Sequence, residues 1–544
     1  MKVLIIHQNF PGQFRHMAES WSRLPGWEVI GLGRDTAPGM PVVKWLKYTL
    51  HRPPKQDQHP YLRQMETAVL HGQAVARSLL ELKHRGFTPD AILAHPGWGE
   101  SLYVRDVFPN ARLIHFCEWY YGACGADLDF DPEFPMSFDA RARIRTWNAL
   151  HTLNLENCDA GVTPTHWQHS RHPEVYRDKI AVIHEGINTD ILRPDPAAIL
   201  KLSNGITLMA GEPVITYVAR NLEPYRGFHV FMRALESIQK KHPTCHAVIV
   251  GGDGVSYGSQ PKDAPTWHKK MLREVKLDPA RTHFLGKVPY DTYRKVLLVS
   301  AAHIYLTYPF VLSWSMLEAM ASGCLVIGSD TAPVCEVLQH GKNGLLADFF
   351  SPEDIAGRVG EALEQTDRMK SIRDAARQTV IEQYGFRQSL ESYLDLINGA
   401  SSACHALGNQ EKSLTPVIAP VTASTVSRMK EMAKNTIMNS GIRIIKDTDL
   451  EFKELGLSPR EVEIMRHLAL GKGDKVIAAK LNISVKTVNH HVSNIILKLD
   501  AANRTHAVAK ALMSRVIEMR SSDAASATRN RRFGERDYEQ RFNA

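Results

Sequence analysis

At 544 residues the chain is too long for one hydrophobic core, and two to four domains are expected. Hydrophobic residues make up 44% and charged residues 23%, an ordinary soluble globular balance. The net charge of +8 is uneven: residues 451–544 hold 17 Lys+Arg against 11 Asp+Glu, so this stretch supplies +6, which fits a polyanionic partner or a solvated surface.

Seven cysteines (Cys117, Cys124, Cys158, Cys245, Cys324, Cys335 and Cys404) form no Cys-x-x-Cys pair. An odd, scattered set points to reduced thiols in a cytoplasm and away from a disulfide framework or a zinc site. The first apolar run, Val3–Ile6, is too short for a signal core, and no apolar stretch reaches the length of a membrane span. Peripheral membrane contact through a basic patch stays open.

In chain order, a short β run (Val3–Ile6) leads through the loop His7–Gly12 into an amphipathic helix pattern of Phe14, Met17, Trp21 and Leu24. Apolar runs at 91–94, 112–116, 160–163 and 180–183 then alternate with helical patterns, as buried parallel strands do. A break at Ser203–Glu212 precedes a second alternation, with runs at 214–218, 247–250, 282–285, 303–306 and 325–327. The fold class is α/β: two doubly wound, Rossmann-like halves, 1–205 and 206–398, with a ligand cleft at the carboxyl ends of their strands. Residues 399–450 read as a linker (Ser401–Ser427 is rich in Ser, Thr, Ala and Pro), with a possible helix at 429–449. A small all-α domain follows at 451–520, and 521–544 reads as a disordered tail.

In the all-α domain, Ser458, Pro459 and Glu461 form a helix start with a capping box, and Leu457 and Val462 a hydrophobic staple. The helix ends at Gly471-Lys472-Gly473. A second runs from Asp474 to Leu481, and Ser484 caps a third. Val488, Val492, Ile495 and Leu499 share one face of that third helix, as core. Lys486, Thr487, Asn489, His490, Ser493 and Asn494 lie elsewhere on it, the layout of a recognition helix, with Lys498 and Arg504 placed for phosphates. An ordinary helical bundle with a wet face has the same spacing. The string LSPREVEIMRHLALGKGDKVIAAKLNISVKTVNHHVSNIILKLDAANRTHAVAKAL, 457–512, resembles the LuxR-type helix-turn-helix family. That resemblance implies DNA as a partner, bound as a homodimer. The family often has a basic residue where Asn489 stands, so a different base preference is expected.

In the α/β part, Gly12 lets backbone approach a diphosphate at a helix N-terminus. Arg220 follows a strand, and Arg226 opens the next helix; two fixed cations there can neutralise a leaving diphosphate, or can simply be surface arginines. Glu318, alone on an apolar helix, needs a polar partner. MKVLIIHQNFPGQFRH, VTPTHWQHSRHP, YVARNLEPYRGFHVFMRAL, VIVGGDG and LTYPFVLSWSMLEAMASGCLVIGSDTAPVCEVLQHGKNGLL resemble glycosyltransferase family 4, of GT-B fold, over residues 1–398. The resemblance implies a retaining, hexosyltransferase-like reaction from a nucleotide-sugar donor to a glycan or lipid-linked acceptor. No cofactor or metal is called for. Arg220 and Arg226 would hold the donor diphosphate with Gly12 against it, and Glu318 the ribose; the Thr331–Pro333 loop and Glu336 would lie near that side. The family's earlier glutamate, eight positions before Glu318, is Phe310 here, which puts the donor sugar and turnover in question.

His95 and Glu118 follow apolar runs and are candidate catalytic groups for the acceptor, or structural polar residues. Trp98, Trp119, Tyr120 and Tyr121 can stack on a sugar or fill core. The run Asp127–Asp131 resembles an Asp-x-Asp metal motif of another glycosyltransferase fold and is read as a solvated loop. The alternative reading is a LuxR-type transcriptional regulator whose α/β part senses a nucleotide sugar without turning it over. A weaker one links polysaccharide synthesis to control of its own genes.

Overall fold

The computed structural model describes residues 1–399, apart from 56, 123 and 124, and then 457–469, 472, 474–481, 483–499 and 507. The linker and possible helix before 451, Gly471, Gly473, Asn482, Arg504, Cys124, Cys404 and the tail lie outside the described residues. The chain forms two compact units, Met1–Lys412 and Ser413–Ala544.

The first unit holds two parallel sheets. The N-terminal one contains β1 (Lys2–Ile6), β2 (Glu28–Arg34), β3 (Lys44–Tyr48), β4 (Ala91–Ala94), β5 (Arg112–Phe116), β6 (Ala160–Thr163) and β7 (Ile180–Val182), ordered β3-β2-β1-β4-β5-β6-β7. Both faces are covered by helices, so β1 and β4 are apolar nearly throughout, as strands buried on two sides must be. The order reverses beside β1, which opens a crevice at the ends of β1 and β4.

A short antiparallel hairpin, β8 (Ile199–Lys201) and β9 (Thr207–Met209), occupies the expected break. The second sheet contains β10 (Val214–Asn221), β11 (His246–Gly252), β12 (Thr282–Gly286), β13 (Ala302–Tyr305), β14 (Val326–Ser329) and β15 (Leu345–Ala347), ordered β12-β11-β10-β13-β14-β15. Its switch point lies between β10 and β13. Helix Phe228–Lys241 buries Phe228, Phe231, Leu235 and Ile238 against this sheet. The last helix, Phe386–Asn398, returns to the N-terminal lobe: Tyr393, Leu396 and Ile397 join the core of Val3 and Ile5, although its sequence follows on from the second lobe.

In the second unit, helices Pro459–Ala469, Asp474–Leu481 and Val485–Lys498 enclose a core of Val462, Met465, Ile477, Val488, Val492, Ile495 and Leu499. The capping box forms as its spacing requires: the Ser458 amide donates to Glu461 Oε2 at 2.7 Å, and the Glu461 amide to Ser458 Oγ at 3.3 Å. Ser484 Oγ accepts the Thr487 amide at 3.0 Å.

Candidate active site

At the N-terminal switch point, four side chains form one line. The Asn9 amide donates to His7 Nδ1 at 2.9 Å, so the proton of neutral His7 is on Nε2, which faces Gln13 Oε1 at 2.6 Å. Gln13 Nε2 donates to Glu118 Oε1 at 3.1 Å. The other Glu118 oxygen lies 3.4 Å from His95 Nε2, and His95 Nδ1 accepts the Gly97 amide at 3.1 Å. Burial, with His95 beside it, holds His7 down at about 3, so its ring is neutral. Burial pushes the Glu118 carboxyl up, but hydrogen bonds from His95 and Gln13 outweigh it and leave its pKa below the usual value. Glu118 is therefore an ionised acceptor and a weak base. His95 and Glu118, 23 positions apart, meet because β4 and β5 are neighbours. Trp98 stacks on His95 at 4.3 Å between ring centroids. Gly12 has φ +51, and the space a Cβ would need is filled by the His7 ring at 2.3 Å. Its close approach serves His7.

In the C-terminal lobe, the end of β10 and the 3-10 turn Pro224–Arg226 bring Arg220 and Arg226 to one small cavity of about 90 Å³, which Ser313 and Ser315 also line. Arg226 is buried and tethered: Nη1 donates to Thr307 Oγ1 at 2.7 Å and to the Val311 carbonyl at 3.1 Å, and Tyr257 covers its guanidinium at 5.3 Å. Arg220 is exposed and has no ion-pair partner among the described residues. Glu223, unremarked in the sequence reading, organises the cavity wall. Its buried carboxylate accepts the amides of Ser256, Tyr257 and Gly258, and so fixes the loop that holds Tyr257 over Arg226.

Glu318 finds its partners inside the protein: Tyr290 and Tyr293 hydroxyls donate to its two oxygens at 3.1 and 2.6 Å, while burial raises its pKa. Each oxygen keeps a second lone pair. Glu336 is placed differently from the cavity: its carboxylate accepts the His166 and Trp167 amides, both at 2.7 Å, and so caps a helix of the opposite lobe. Phe310 is 5% exposed and packs edge-on against Trp119 of the other lobe at 4.9 Å. An apolar ring thus seals the lobe contact where the family's carboxylate would stand.

The Asp127–Asp131 run is not the solvated loop expected. Asp127 and Asp131 are buried, because this segment clasps the C-terminal lobe. Asp131 accepts the Tyr308 hydroxyl at 2.8 Å and sits 3.0 Å from His229 Nε2; Tyr225 donates to the Asp127 carbonyl at 2.6 Å. Asp131, Glu133 and His229 stand close enough to share a cation, but Arg233 already pairs with Glu133.

Residues 25–192 match the family model described as glycosyl transferase family 4 group, 202–379 that of glycosyl transferases group 1, and 455–511 that of bacterial regulatory proteins, luxR family. The chain thus joins regions of the glycosyl transferase family 4 and group 1 types to a region of the luxR type. The chain is 28% identical over 238 residues to the GDP-mannose-dependent alpha-(1-6)-phosphatidylinositol monomannoside mannosyltransferase of Mycobacterium tuberculosis, a match covering 40% of this chain and 55% of that protein. It is 26% identical over 205 residues to the D-inositol 3-phosphate glycosyltransferase of Acidothermus cellulolyticus, covering 36% and 43%. The chain thus spans about half the length of the curated relatives it matches. Sucrose-phosphate synthase from Thermosynechococcus elongatus shares the fold with a TM-score of 0.55 at 15% identity, over 73% of this chain and 98% of that one. Anabaena HepE in complex with UDP-glucose does so with 0.53 at 14%, over 73% and 100%.

On the recognition helix, Asn489 and Ser493 are exposed and Thr487 and Asn494 half-buried. The side chains of Lys486 and His490 lie outside the described residues. Lys498 is exposed but paired: its ammonium donates to both oxygens of Glu461, at 3.1 and 2.8 Å. The lysine expected on phosphate thus locks the third helix to the cap of the first. No described helix is long and apolar enough to cross a membrane.

Proposed function

We propose that the α/β unit is a retaining glycosyltransferase that moves a hexosyl unit from a nucleotide-sugar donor to a glycan or lipid-linked acceptor, and that the appended domain binds DNA. The observation that carries this is the cavity that holds Arg220 and Arg226 together at the carboxyl end of β10, in the lobe opposite to that of the Glu118–His95 pair. The two guanidiniums neutralise the departing diphosphate, and the Glu318 oxygens accept ribose hydroxyls. Gly12 lies against the diphosphate on the N-terminal side. The bond from the sugar C1 to the phosphate oxygen breaks and one to the acceptor oxygen forms on the same face. The acceptor proton passes to the leaving phosphate, since Glu118, with its depressed pKa, orients the hydroxyl and does not deprotonate it. One named relative is GDP-mannose-dependent, and a solved neighbour holds UDP-glucose, which supports a nucleotide-sugar donor. Release of nucleoside diphosphate by the full chain, screened over UDP-, GDP- and ADP-sugars, tests this. Arg220→Ala is expected to lower kcat/KM by roughly 100-fold; no turnover with any donor, and none lost in the variant, would sink it.

A second reading is favoured by Phe310: a regulator whose α/β unit binds a nucleotide sugar without turnover. It requires that the sugar change DNA affinity while no diphosphate is released. In either reading Lys486, Thr487, Asn489, His490, Ser493 and Asn494 form the DNA face of a homodimer.

A further inference from the structure

Helix Tyr290–Leu298 carries two tyrosines three positions apart, and hence on one face. Tyr293 is 9% exposed, and its ring joins the core of Leu297, Leu317 and Met320. The packed ring fixes where its hydroxyl points: it donates to Glu318 Oε2 at 2.6 Å. Tyr290 is 51% exposed, and its hydroxyl reaches Glu318 Oε1 at the longer distance of 3.1 Å.

Glu318 stands on a helix that also forms the wall of the donor cavity. Ser313 and Ser315, at the start of helix Trp314–Ala321, line the cavity of Arg220 and Arg226. Glu318 follows Ser315 by three residues, about 4.5 Å further along the axis. A nucleoside diphosphate carries its ribose one methylene away from its phosphates, so a carboxylate at that offset is within reach of the sugar. The ribose offers two neighbouring hydroxyls. A carboxylate takes both only when its two oxygens face them and when it is ionised. A glutamate free to turn about its side-chain bonds loses that freedom on binding, whereas one already held does not. Burial works against ionisation by raising the Glu318 pKa, and the two tyrosine hydroxyls oppose that rise. Each hydroxyl uses one lone pair of its oxygen and leaves another for a ligand. Among the described residues no lysine or arginine pairs with Glu318, so its tethers there are these two tyrosines.

We propose that Tyr293 is a positioning residue for donor recognition: its hydroxyl holds the Glu318 carboxylate in the orientation that accepts both hydroxyls of the donor ribose. Tyr290 has a lesser part, because water can replace an exposed hydroxyl. The assignment rests on the glycosyltransferase reading, in which Glu318 takes the ribose. It deepens that reading by naming the group on a neighbouring helix on which the contact depends.

Calorimetry on the full chain tests this. UDP, GDP and ADP are each compared with the dideoxy counterpart, which keeps the base and the diphosphate and lacks both ribose hydroxyls. The parent chain is expected to bind the ribose form of its preferred nucleotide about ten-fold or more tightly than the dideoxy form. Glu318→Gln should remove most of that preference. Tyr293→Phe deletes one oxygen and should cut the preference to about three-fold or less, with affinity for the dideoxy form unchanged within about two-fold. Tyr290→Phe should keep the preference within about two-fold of the parent's. A preference that survives Tyr293→Phe but is lost in Glu318→Gln overturns the positioning role and leaves the ribose contact standing. Equal weakening of both forms by Tyr293→Phe also overturns it, since the hydroxyl then serves the fold of the lobe and not the ribose. A parent chain that binds both forms alike, or binds no nucleotide, removes the Glu318 reading and the role of Tyr293 with it.

Discussion

Glu185 lies on the crossover between the two lobes, 4% exposed at its side chain, and its Oε2, 3.6 Å from His184 Nε2, has no hydrogen-bond partner among the described residues. Burial pushes its pKa up from 4.5 to about 8. Below pH 4.5 the carboxyl is protonated in both the folded and unfolded chain. Between 4.5 and 8 the unfolded chain gives up the proton first, so the stability present at low pH is lost as pH rises through the folded value. Glu185→Gln cannot ionise. Its melting temperature is expected to exceed that of the parent by about 2 °C or more at pH 8.5, with the gap closing below pH 4.5; a gap independent of pH would refute this. Gly12 makes a second residue-scale test. An alanine there meets both a positive φ and the His7 ring at 2.3 Å, so Gly12→Ala should cost about 1–3 kcal/mol in a denaturation experiment and loosen the line from His7 to Glu118. His95 and Glu118 were legible because each follows an apolar run that ends at the cleft. Their connection through Gln13 and His7 was not, since it depends on β1, β4 and β5 lying side by side and leaves no local pattern.

Among elements, most strands that could be read, such as β1, β4, β6, β13 and β14, were buried on both faces and hence nearly continuously apolar. β2 escaped because Gly31 and Gly33 interrupt it; a Cβ at Gly31 would strike the Phe10 ring at 2.3 Å, so packing demands the residue that weakens the signal. β3, an edge strand with sequence KWLKY, carries lysines that suit an edge and disguise a strand. The segment of Asp127–Asp131 looked wet because charge was its visible property, whereas its partners, His229 and Tyr308, come from the other lobe. The third helix of this domain was legible from its caps and apolar face, but the pairing of Lys498 depends on a glutamate 37 positions away. Two substitutions separate positioning from recognition there. Lys498→Ala leaves Glu461 without its cation. Buried pairs cost roughly 3–5 kcal/mol to break, but Lys498 is 37% exposed, so about 1–2 kcal/mol is expected, read as a lower melting temperature. The salt dependence of DNA binding should keep its slope; a slope smaller by about one would mean that Lys498 contacts a phosphate after all. Asn489→Ala should change the order of preference among DNA sequences and leave that slope intact.

At the scale of the whole molecule, the α/β unit is held by contacts that cross its cleft. Trp119 meets Phe310, Glu336 caps the helix at His166, Asp131 faces His229, and the helix Phe386–Asn398 packs into the first lobe. The order of the two lobes and the helix-turn-helix domain was readable from alternating patterns and motifs. Which residues bridge the lobes was not, because bridging is a property of the folded pair. Phe310 illustrates the difference. In the sequence it is a missing carboxylate; in the fold it fills the seam between the lobes and leaves both arginines and the Glu118 line in place. The proposed function requires this cavity to support transfer of a sugar with retention in spite of that ring. The most direct measurement is proton NMR of the anomeric region while the full chain turns over its donor. The expected result is a product signal of the same anomeric configuration as the donor, absent with Arg226→Ala. Inverted product, or equal turnover by Arg226→Ala, would contradict it.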